Sequence, residues 1–208
     1  MEEFFNINED VLSSMEKEIQ ENNQFLLQKL ENGVNTLGTI EFIKIAFSEN
    51  LLDDIKFLNE LSGKDIFKIR HASIIIRDLL EQVIEFIFLM KNPEVIDDYI
   101  GSNINIDEID SQRNPVDGLS YFGKKRYKTD RKSISQMADD INQKNTTNNR
   151  LSLYDIYRIL SEQCHNSYFN SILDDVGEVE TGERDHALTE DQATYIIIII
   201  DEFLKAYR

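Results

Sequence analysis

Two sets of polar side chains in this sequence have the spacing and the chemistry of a binding or catalytic site. Arg70, Ser73, Arg77 and Glu81 recur at steps of three and four residues, so they share one face of a helix. An unpaired guanidinium group is costly to bury, so this face must meet acidic groups, a polar cavity or a ligand. One interpretation is an internal salt-bridge network in which Glu81 pairs with Arg77.

Arg158, Ser161, Glu162 and His165 form the second set, again at steps of three and four residues. If the helices that carry the two sets face each other, guanidinium groups, carboxylates and an imidazole converge between them. Because an imidazole gains and loses a proton near neutral pH, such a cluster has the groups required for anion binding and proton transfer. The structural alternative is that Arg158 and His165 form a buried polar pair that bonds carbonyl groups at a helix end.

The helix that must carry the first set spans residues 64–91, and its apolar residues fall on nearly every side of a helical wheel. Charged residues interrupt it too often for a membrane span, which needs about 20 mostly uninterrupted apolar residues. We therefore predict the buried central helix of a bundle, with no membrane association. It should end at Asn92-Pro93, because the residue before a proline avoids the helical region.

Apolar periodicity predicts three further helices, over residues 8–32, 39–61 and 131–142. The chain contains only two prolines, so its helices can be long. We predict an all-α fold, a bundle of long antiparallel helices. Residues 1–62 are expected to form an N-terminal helical segment packed on the same core as the main bundle, residues 63–208.

Two capping signals predict where the last two long helices begin. Ser152-x-x-Asp155 and Thr189-x-x-Gln192 both have the form of a capping box, and the second helix should run to about residue 206. The isoleucine run at 196–200 favours a buried strand by propensity. The cap that precedes it favours a helix.

Composition limits the classes of function. The formal net charge is −17, and a field of that sign repels phosphate, which argues against a protein that coats nucleic acid non-specifically. The single cysteine, Cys164, cannot form an intrachain disulfide and is expected to be a buried structural thiol. The acidic start of the chain lacks the basic segment of a secretory signal, so a reducing cytoplasm is the expected location.

A basic segment interrupts this acidic background in the irregular loop predicted at residues 112–130. Seven lysines and arginines lie between residues 113 and 132, against two aspartates, and aromatic residues lie among them. Such a segment can stack bases and contact phosphates, as single-strand binders do. An exposed loop that needs lysines for solubility, or that docks on the acidic surface, fits the same composition. The residues that would contact nucleic acid are Lys124, Lys125, Arg126, Tyr127 and Lys128.

The segment from Arg158 to His165, RILSEQCH, resembles the Arg-x4–6-His motif of HEPN domains (higher eukaryotes and prokaryotes nucleotide-binding), which are small all-helical proteins. The runs RHASIIIRDLLEQ and LYDIYRILSEQCHNS also resemble a bacterial family of helical proteins of uncharacterised function. Many HEPN proteins are metal-independent ribonucleases of toxin–antitoxin, abortive-infection or CRISPR systems. They commonly form dimers with the motif near the interface.

The resemblance implies a HEPN-like bundle, a homodimer, and Arg158 and His165 as the catalytic pair of a ribonuclease in a toxin or phage-defence system. The ligand would be a nucleotide or an RNA phosphate, bound in a polar site between helices. A neutral imidazole can take the proton of a ribose 2′-hydroxyl and a guanidinium can hold the charge on phosphate oxygens, without a metal or cofactor. The side chains expected to support this site are Arg70, Arg77, Glu81, Ser161 and Glu162.

A function from a different class fits the same composition. A non-catalytic interaction module, such as an antitoxin-like or regulatory subunit, would keep the bundle and bind a protein partner through its acidic surface. The net charge of −17 favours this alternative. The two matched polar sets favour the nucleotide- or RNA-binding protein.

Overall fold

A computed structural model describes residues 9–31, 40–64, 69–96, 132–147, 150–165 and 188–208 of the chain. These residues form six α-helices and one short 3₁₀-helix at Pro93–Val95, and they contain no β-strand. The predicted all-α fold is therefore confirmed. The helices are α1 (Glu9–Glu31), α2 (Ile40–Leu61), α3 (Ile69–Lys91), α4 (Ile134–Asp140), α5 (Leu153–His165) and α6 (Glu190–Tyr207).

α3 lies at the centre of the bundle and packs against α2, α4, α5 and α6. Leu80 and Ile84 in its middle are fully buried, and each contributes roughly 1.5–3 kcal/mol by leaving water. Burial is not complete around the helix, since Ile74 and Asp78 are exposed. None of the helices in the described ranges combines the length and the apolar character needed to cross a membrane.

α6 begins with a complete capping box, as the sequence predicts. The Thr189 hydroxyl accepts a hydrogen bond from the Gln192 backbone N–H, and the Gln192 side chain accepts one from the Thr189 backbone N–H. The isoleucine run at 196–200 is helical. Gln192 bonds to the first turn of α3 and Phe203 packs on Phe86 near its end, with ring centroids 4.7 Å apart, so α6 runs parallel to α3.

α1 and α2 form an antiparallel pair. Glu16 near the start of α1 accepts a hydrogen bond from Lys56 near the end of α2 at 2.7 Å. Met15 and Ile19 of α1 and Ile55 of α2 are buried in the same apolar cluster as the residues of α3. The two N-terminal helices and α3 therefore share one apolar core.

α5 starts at a cap built by Ser152 and Asp155. The Ser152 hydroxyl accepts a hydrogen bond from the Asp155 backbone N–H at 3.0 Å and donates one to the Asp155 carboxylate at 2.7 Å. Thr146 also donates to this carboxylate, and its hydrogen bond is the main reason why the pKa of Asp155 is lowered. α5 packs antiparallel to α3, since Gln163 near its end bonds to Ser73 near the start of α3.

Candidate functional site

The facing surfaces of α3 and α5 carry a group of polar side chains, which we call the α3–α5 interface. It consists of Ser73 and Arg77 from α3 and of Tyr157, Ser161 and Cys164 from α5. The apolar residues around these positions hold the two helices together, so the polar groups are placed by the packing of the core.

Arg77 is the central cation of this interface. Its Nη2 donates hydrogen bonds to Glu81 Oε1 at 3.0 Å and to the Tyr157 hydroxyl at 3.3 Å, so the predicted pair with Glu81 is present. Its guanidinium carbon also lies 5.3 Å from the centroid of the Tyr157 ring, which is a cation–π contact. The hydrogen bond to Tyr157 is the main factor that raises the pKa of Arg77, so the guanidinium group stays charged.

Ser73 is bonded on both sides within the protein. Its hydroxyl accepts a hydrogen bond from Gln192 Nε2 at 3.0 Å and donates one to Gln163 Oε1 at 3.1 Å. Gln192 Nε2 also donates to the carbonyl of Ile69. These bonds connect α3, α5 and α6, and they indicate a structural role for Ser73.

Two polar atoms at the α3–α5 interface lack such partners. Arg77 Nε and Ser161 Oγ are buried and have no hydrogen-bond partner among the described residues. An unsatisfied buried donor or acceptor costs about 1–3 kcal/mol. Arg77 donates a hydrogen bond to Tyr157 and lies close enough to Cys164 to affect the pKa of its thiol. Ser161 lies four residues after Tyr157 and three before Cys164, so the two unpartnered atoms come from facing parts of the two helices.

Cys164 has the properties of a protonated thiol. Burial raises the pKa of this thiol, and the nearby guanidinium groups of Arg77 and Arg70 offset that effect only in part. A thiol with a raised pKa is a weak nucleophile, because the thiolate is the reactive form. Cys164 is partly buried, whereas the sequence predicted a buried thiol.

The structure corrects the expectation that Arg158 and His165 converge with Arg77 inside the bundle. Both side chains are exposed, and neither makes a hydrogen bond or an ion pair with another described residue. The reason is the rotation of α5, which turns its apolar side onto α3 and places Tyr157 against Arg77. Arg158, the next residue along, points about 100° further round the helix.

The second polar set therefore lies at the outer edge of the α3–α5 interface. Ser161 is its middle member, three residues after Arg158 and four before His165, and its hydroxyl is buried. Glu162 is exposed beside them, and Arg70 is exposed at the start of α3. The set thus extends from solvent, where Arg158, Glu162 and His165 are exposed, to the buried hydroxyl of Ser161.

Four residues of this region escaped the sequence analysis as site residues. Tyr157 follows Leu153 and precedes Leu160 at helical spacing, which indicates an apolar position, although a phenol one turn before Ser161 is a suitable partner for a partly buried arginine. Gln192 was predicted only as part of a cap, but its side-chain amide accepts the cap bond from the Thr189 backbone N–H and also donates to Ser73. Gln163 and Tyr154 carried no separate signal, since polar and aromatic residues are common at the edges of helices.

The structure does not describe the residues that were predicted to contact nucleic acid. Lys124, Lys125, Arg126, Tyr127 and Lys128 all lie outside the described ranges. Within the described ranges, no group of three or more histidine, cysteine, aspartate or glutamate side chains is arranged to hold a metal ion.

Comparisons of the chain with protein-family models, with curated proteins and with solved structures found no match. A function therefore has to be inferred from the side chains of this protein and from their geometry.

Proposed function

We propose that the chain is a HEPN-like helical protein whose α3–α5 interface binds the phosphate group of a nucleotide or of RNA at its outer edge. The observation that carries this proposal is the pair of unpartnered buried atoms, Arg77 Nε and Ser161 Oγ, on facing helices. A buried polar atom without a partner is unusual in a native protein, and a bound ligand is one of its ordinary explanations.

The groups around these two atoms suit an anion. Arg158 and His165 lie on the same side of α5 as Ser161, one turn to either side of it, and are exposed. Two phosphate oxygens can accept hydrogen bonds from a guanidinium fork at once, which gives both charge and geometry. The Ser161 hydroxyl can donate a further hydrogen bond to the same group.

Ribonuclease activity is the catalytic form of this proposal. The neutral imidazole of His165 takes the proton of a ribose 2′-hydroxyl, and the 2′-oxygen forms a bond to the adjacent phosphorus. The bond from phosphorus to the 5′-oxygen breaks, and the imidazolium returns a proton to that leaving oxygen. The products are a 2′,3′-cyclic phosphate and a 5′-hydroxyl, and Arg158 stabilises the charge on the phosphate oxygens during the transfer.

The HEPN resemblance extends this proposal to the assembly and the biological setting. Exposed Arg158 and His165 are accessible to a second copy of the chain, which agrees with a homodimer that brings two motifs together. A toxin or phage-defence protein is the setting that the resemblance implies.

The test is an RNA cleavage and binding assay in EDTA with the wild-type protein, His165→Ala and His71→Ala. His71 is also an exposed histidine, but it lies on α3 and outside the second polar set, so its replacement is a matched control. We expect cleavage that falls by about 10²-fold or more in His165→Ala and is unchanged in His71→Ala. Binding without cleavage would support a non-catalytic site, and a wild-type protein that neither binds nor cleaves RNA would remove the proposal.

A specific feature favours the second candidate function, the interaction module. α1 and α2 enclose a groove of about 390 Å³ that includes the carboxylates of Glu49 and Asp53 together with apolar side chains. Phe25 and Leu27 on α1 are 59% and 45% exposed. This groove suits a basic amphipathic helix from a protein partner, and the proposal predicts that a peptide of this kind binds the wild-type protein and binds Leu27→Ser more weakly.

A further inference from the structure

We infer that the α3–α5 interface binds single-stranded RNA through an unpaired base, which stacks on Tyr154 beside the phosphate. This inference rests on the phosphate site proposed above and adds the class of ligand. Three features support it: the position of Tyr154 on α5, the stack of flat side chains that holds its ring, and the negative net charge of the protein.

Tyr154, Arg158, Ser161 and His165 occupy one side of α5. They recur at steps of four, three and four residues, which is the spacing of a continuous helical stripe. At a rise of 1.5 Å per residue, the stripe is about 16 Å long. The aromatic ring therefore lies one turn before the arginine that would hold the phosphate.

Three flat groups follow one another from the interface to the surface. The guanidinium of Arg77 lies over the ring of Tyr157, and the ring of Tyr157 is stacked with that of Tyr154, with centroids 5.8 Å apart and planes 20° apart. Tyr157 is fixed by its hydroxyl bond to Arg77. Tyr154 is the terminal member of this stack and is partly exposed, and the face of its ring away from Tyr157 is the one on which a base would stack.

The backbone around Tyr154 is held in place before any ligand binds. Its N–H donates a hydrogen bond to the carbonyl of Gln143 at 3.1 Å, and the cap of Ser152 and Asp155 begins the helix directly around it. A ring on a fixed first helical turn loses little freedom when a base stacks on it, which favours binding.

Because the protein is acidic, stacking of an RNA base is needed in addition to the phosphate contacts. With a net charge of −17, the protein repels a polyanion. Phosphate contacts alone would therefore bind weakly, whereas stacking on an aromatic ring does not depend on charge. Bases in an RNA duplex are already stacked in the helix and cannot reach the ring, so the ligand must be single-stranded.

The experiment compares three fluorescent probes whose labelled strands have the same number of phosphates; the duplex adds the phosphates of its second strand. They are an eight-nucleotide RNA, the same RNA annealed to its complement, and an abasic oligomer of equal length. We expect the single strand to bind the wild-type protein roughly tenfold more tightly than the other two, a typical factor for one stacked base. Tyr154→Leu should lose this advantage without a change in abasic binding, and Tyr154→Phe should retain it because the ring remains.

The outcomes separate this inference from the proposal beneath it. If all three probes bind the wild-type protein equally, the stacking role of Tyr154 is wrong and the phosphate site stands; no variant is needed for this comparison. If none of the probes binds, the phosphate site is wrong and the inference fails with it. Uridine 5′-monophosphate, added as a competitor, identifies a free nucleotide as the base-bearing ligand if it displaces the RNA at the same concentration as unlabelled oligomer.

Discussion

Asn23, Ser48 and Tyr207 form a buried polar cluster where α1, α2 and α6 meet, and Arg77 and Ser161 belong to another between α3 and α5. In the first cluster, Asn23 Nδ2 donates to Ser48 Oγ at 3.0 Å and the Tyr207 hydroxyl donates to Asn23 Oδ1 at 2.7 Å. Ser48 also donates to the carbonyl of Ile45. The second cluster leaves Arg77 Nε and Ser161 Oγ without partners among the described residues.

The two clusters illustrate two uses of buried polar groups. A cluster whose bonds are complete within the protein stabilises one arrangement of its helices. A cluster with incomplete bonds reduces stability, and a ligand that completes those bonds recovers the loss on binding. We therefore expect mutations in the first cluster to change stability without changing ligand affinity, and mutations in the second to change ligand affinity with a smaller effect on stability.

Asn23→Ala should have the largest effect on stability. The substitution removes the bonds to Ser48 and Tyr207 and leaves a small cavity, so the free energy of unfolding should fall by about 3 kcal/mol. Urea denaturation measures this change. Gln24→Ala, at the exposed neighbouring position, is the control and should stay within about 0.5 kcal/mol of the wild type. A loss for Asn23→Ala as small as that of the control would mean that this cluster contributes nothing.

The second effect is a loss of stability in alkali that depends on Tyr207. Burial raises the pKa of its hydroxyl to about 12. Because the folded pKa is above the unfolded value of about 10, the stabilisation is complete below pH 10 and is lost as the pH rises from 10 to 12, by roughly 2 kcal/mol.

Tyr207→Phe isolates this contribution in denaturation measured at several pH values. The variant should be about 1 kcal/mol less stable than the wild type at pH 8, since it lacks the bond to Asn23. The difference between the two proteins should close between pH 10 and 12. Parallel pH profiles would show that the Tyr207 hydroxyl is not buried as the structure places it.

Arg77→Met should have a smaller effect on stability and a clear effect on binding. Methionine keeps the apolar stem, so the loss is one partly exposed ion pair, the hydrogen bond to the Tyr157 hydroxyl and one cation–π contact, about 1–2 kcal/mol together. The affinity for single-stranded RNA, measured by fluorescence anisotropy, should fall by roughly tenfold or more. A loss of 3 kcal/mol with unchanged affinity would instead show that Arg77 is only a structural member of a salt-bridge network.

Periodicity and caps were sufficient to predict the helices. The run at 196–200 is a helix although its residues favour strands, because the Thr189–Gln192 cap fixes the start of α6 and because the residues one turn apart, such as Ile196 and Ile200, are buried together. The end of α3 at Lys91 follows from the proline two residues later. These signals depend only on residues that are neighbours along the chain, so a single sequence is sufficient to predict them.

The rotation of α5 was not predicted correctly. The sequence placed two stripes on this helix, an apolar one with Leu153, Ile156 and Leu160 and a polar one with Arg158 and His165. We expected the polar stripe to face the polar stripe of α3. Burial of the apolar stripe contributes more, at about 25 cal/mol per Å², and it turned the polar stripe to the edge of the interface.

Replacement of one serine in each cluster tests the central claim most directly. Ser48→Ala and Ser161→Ala make the same chemical change, the first at a hydrogen-bonded hydroxyl and the second at an unpartnered one. For both variants, the affinity for eight-nucleotide single-stranded RNA is measured, and the free energy of unfolding is measured by urea denaturation. We predict that Ser48→Ala loses about 1–2 kcal/mol of stability and keeps its affinity, whereas Ser161→Ala loses no stability, because it removes an unpartnered hydroxyl, and binds RNA roughly fivefold more weakly. Equal losses of stability in the two variants, with the affinity of Ser161→Ala unchanged, would contradict the assignment of the α3–α5 interface as a ligand site.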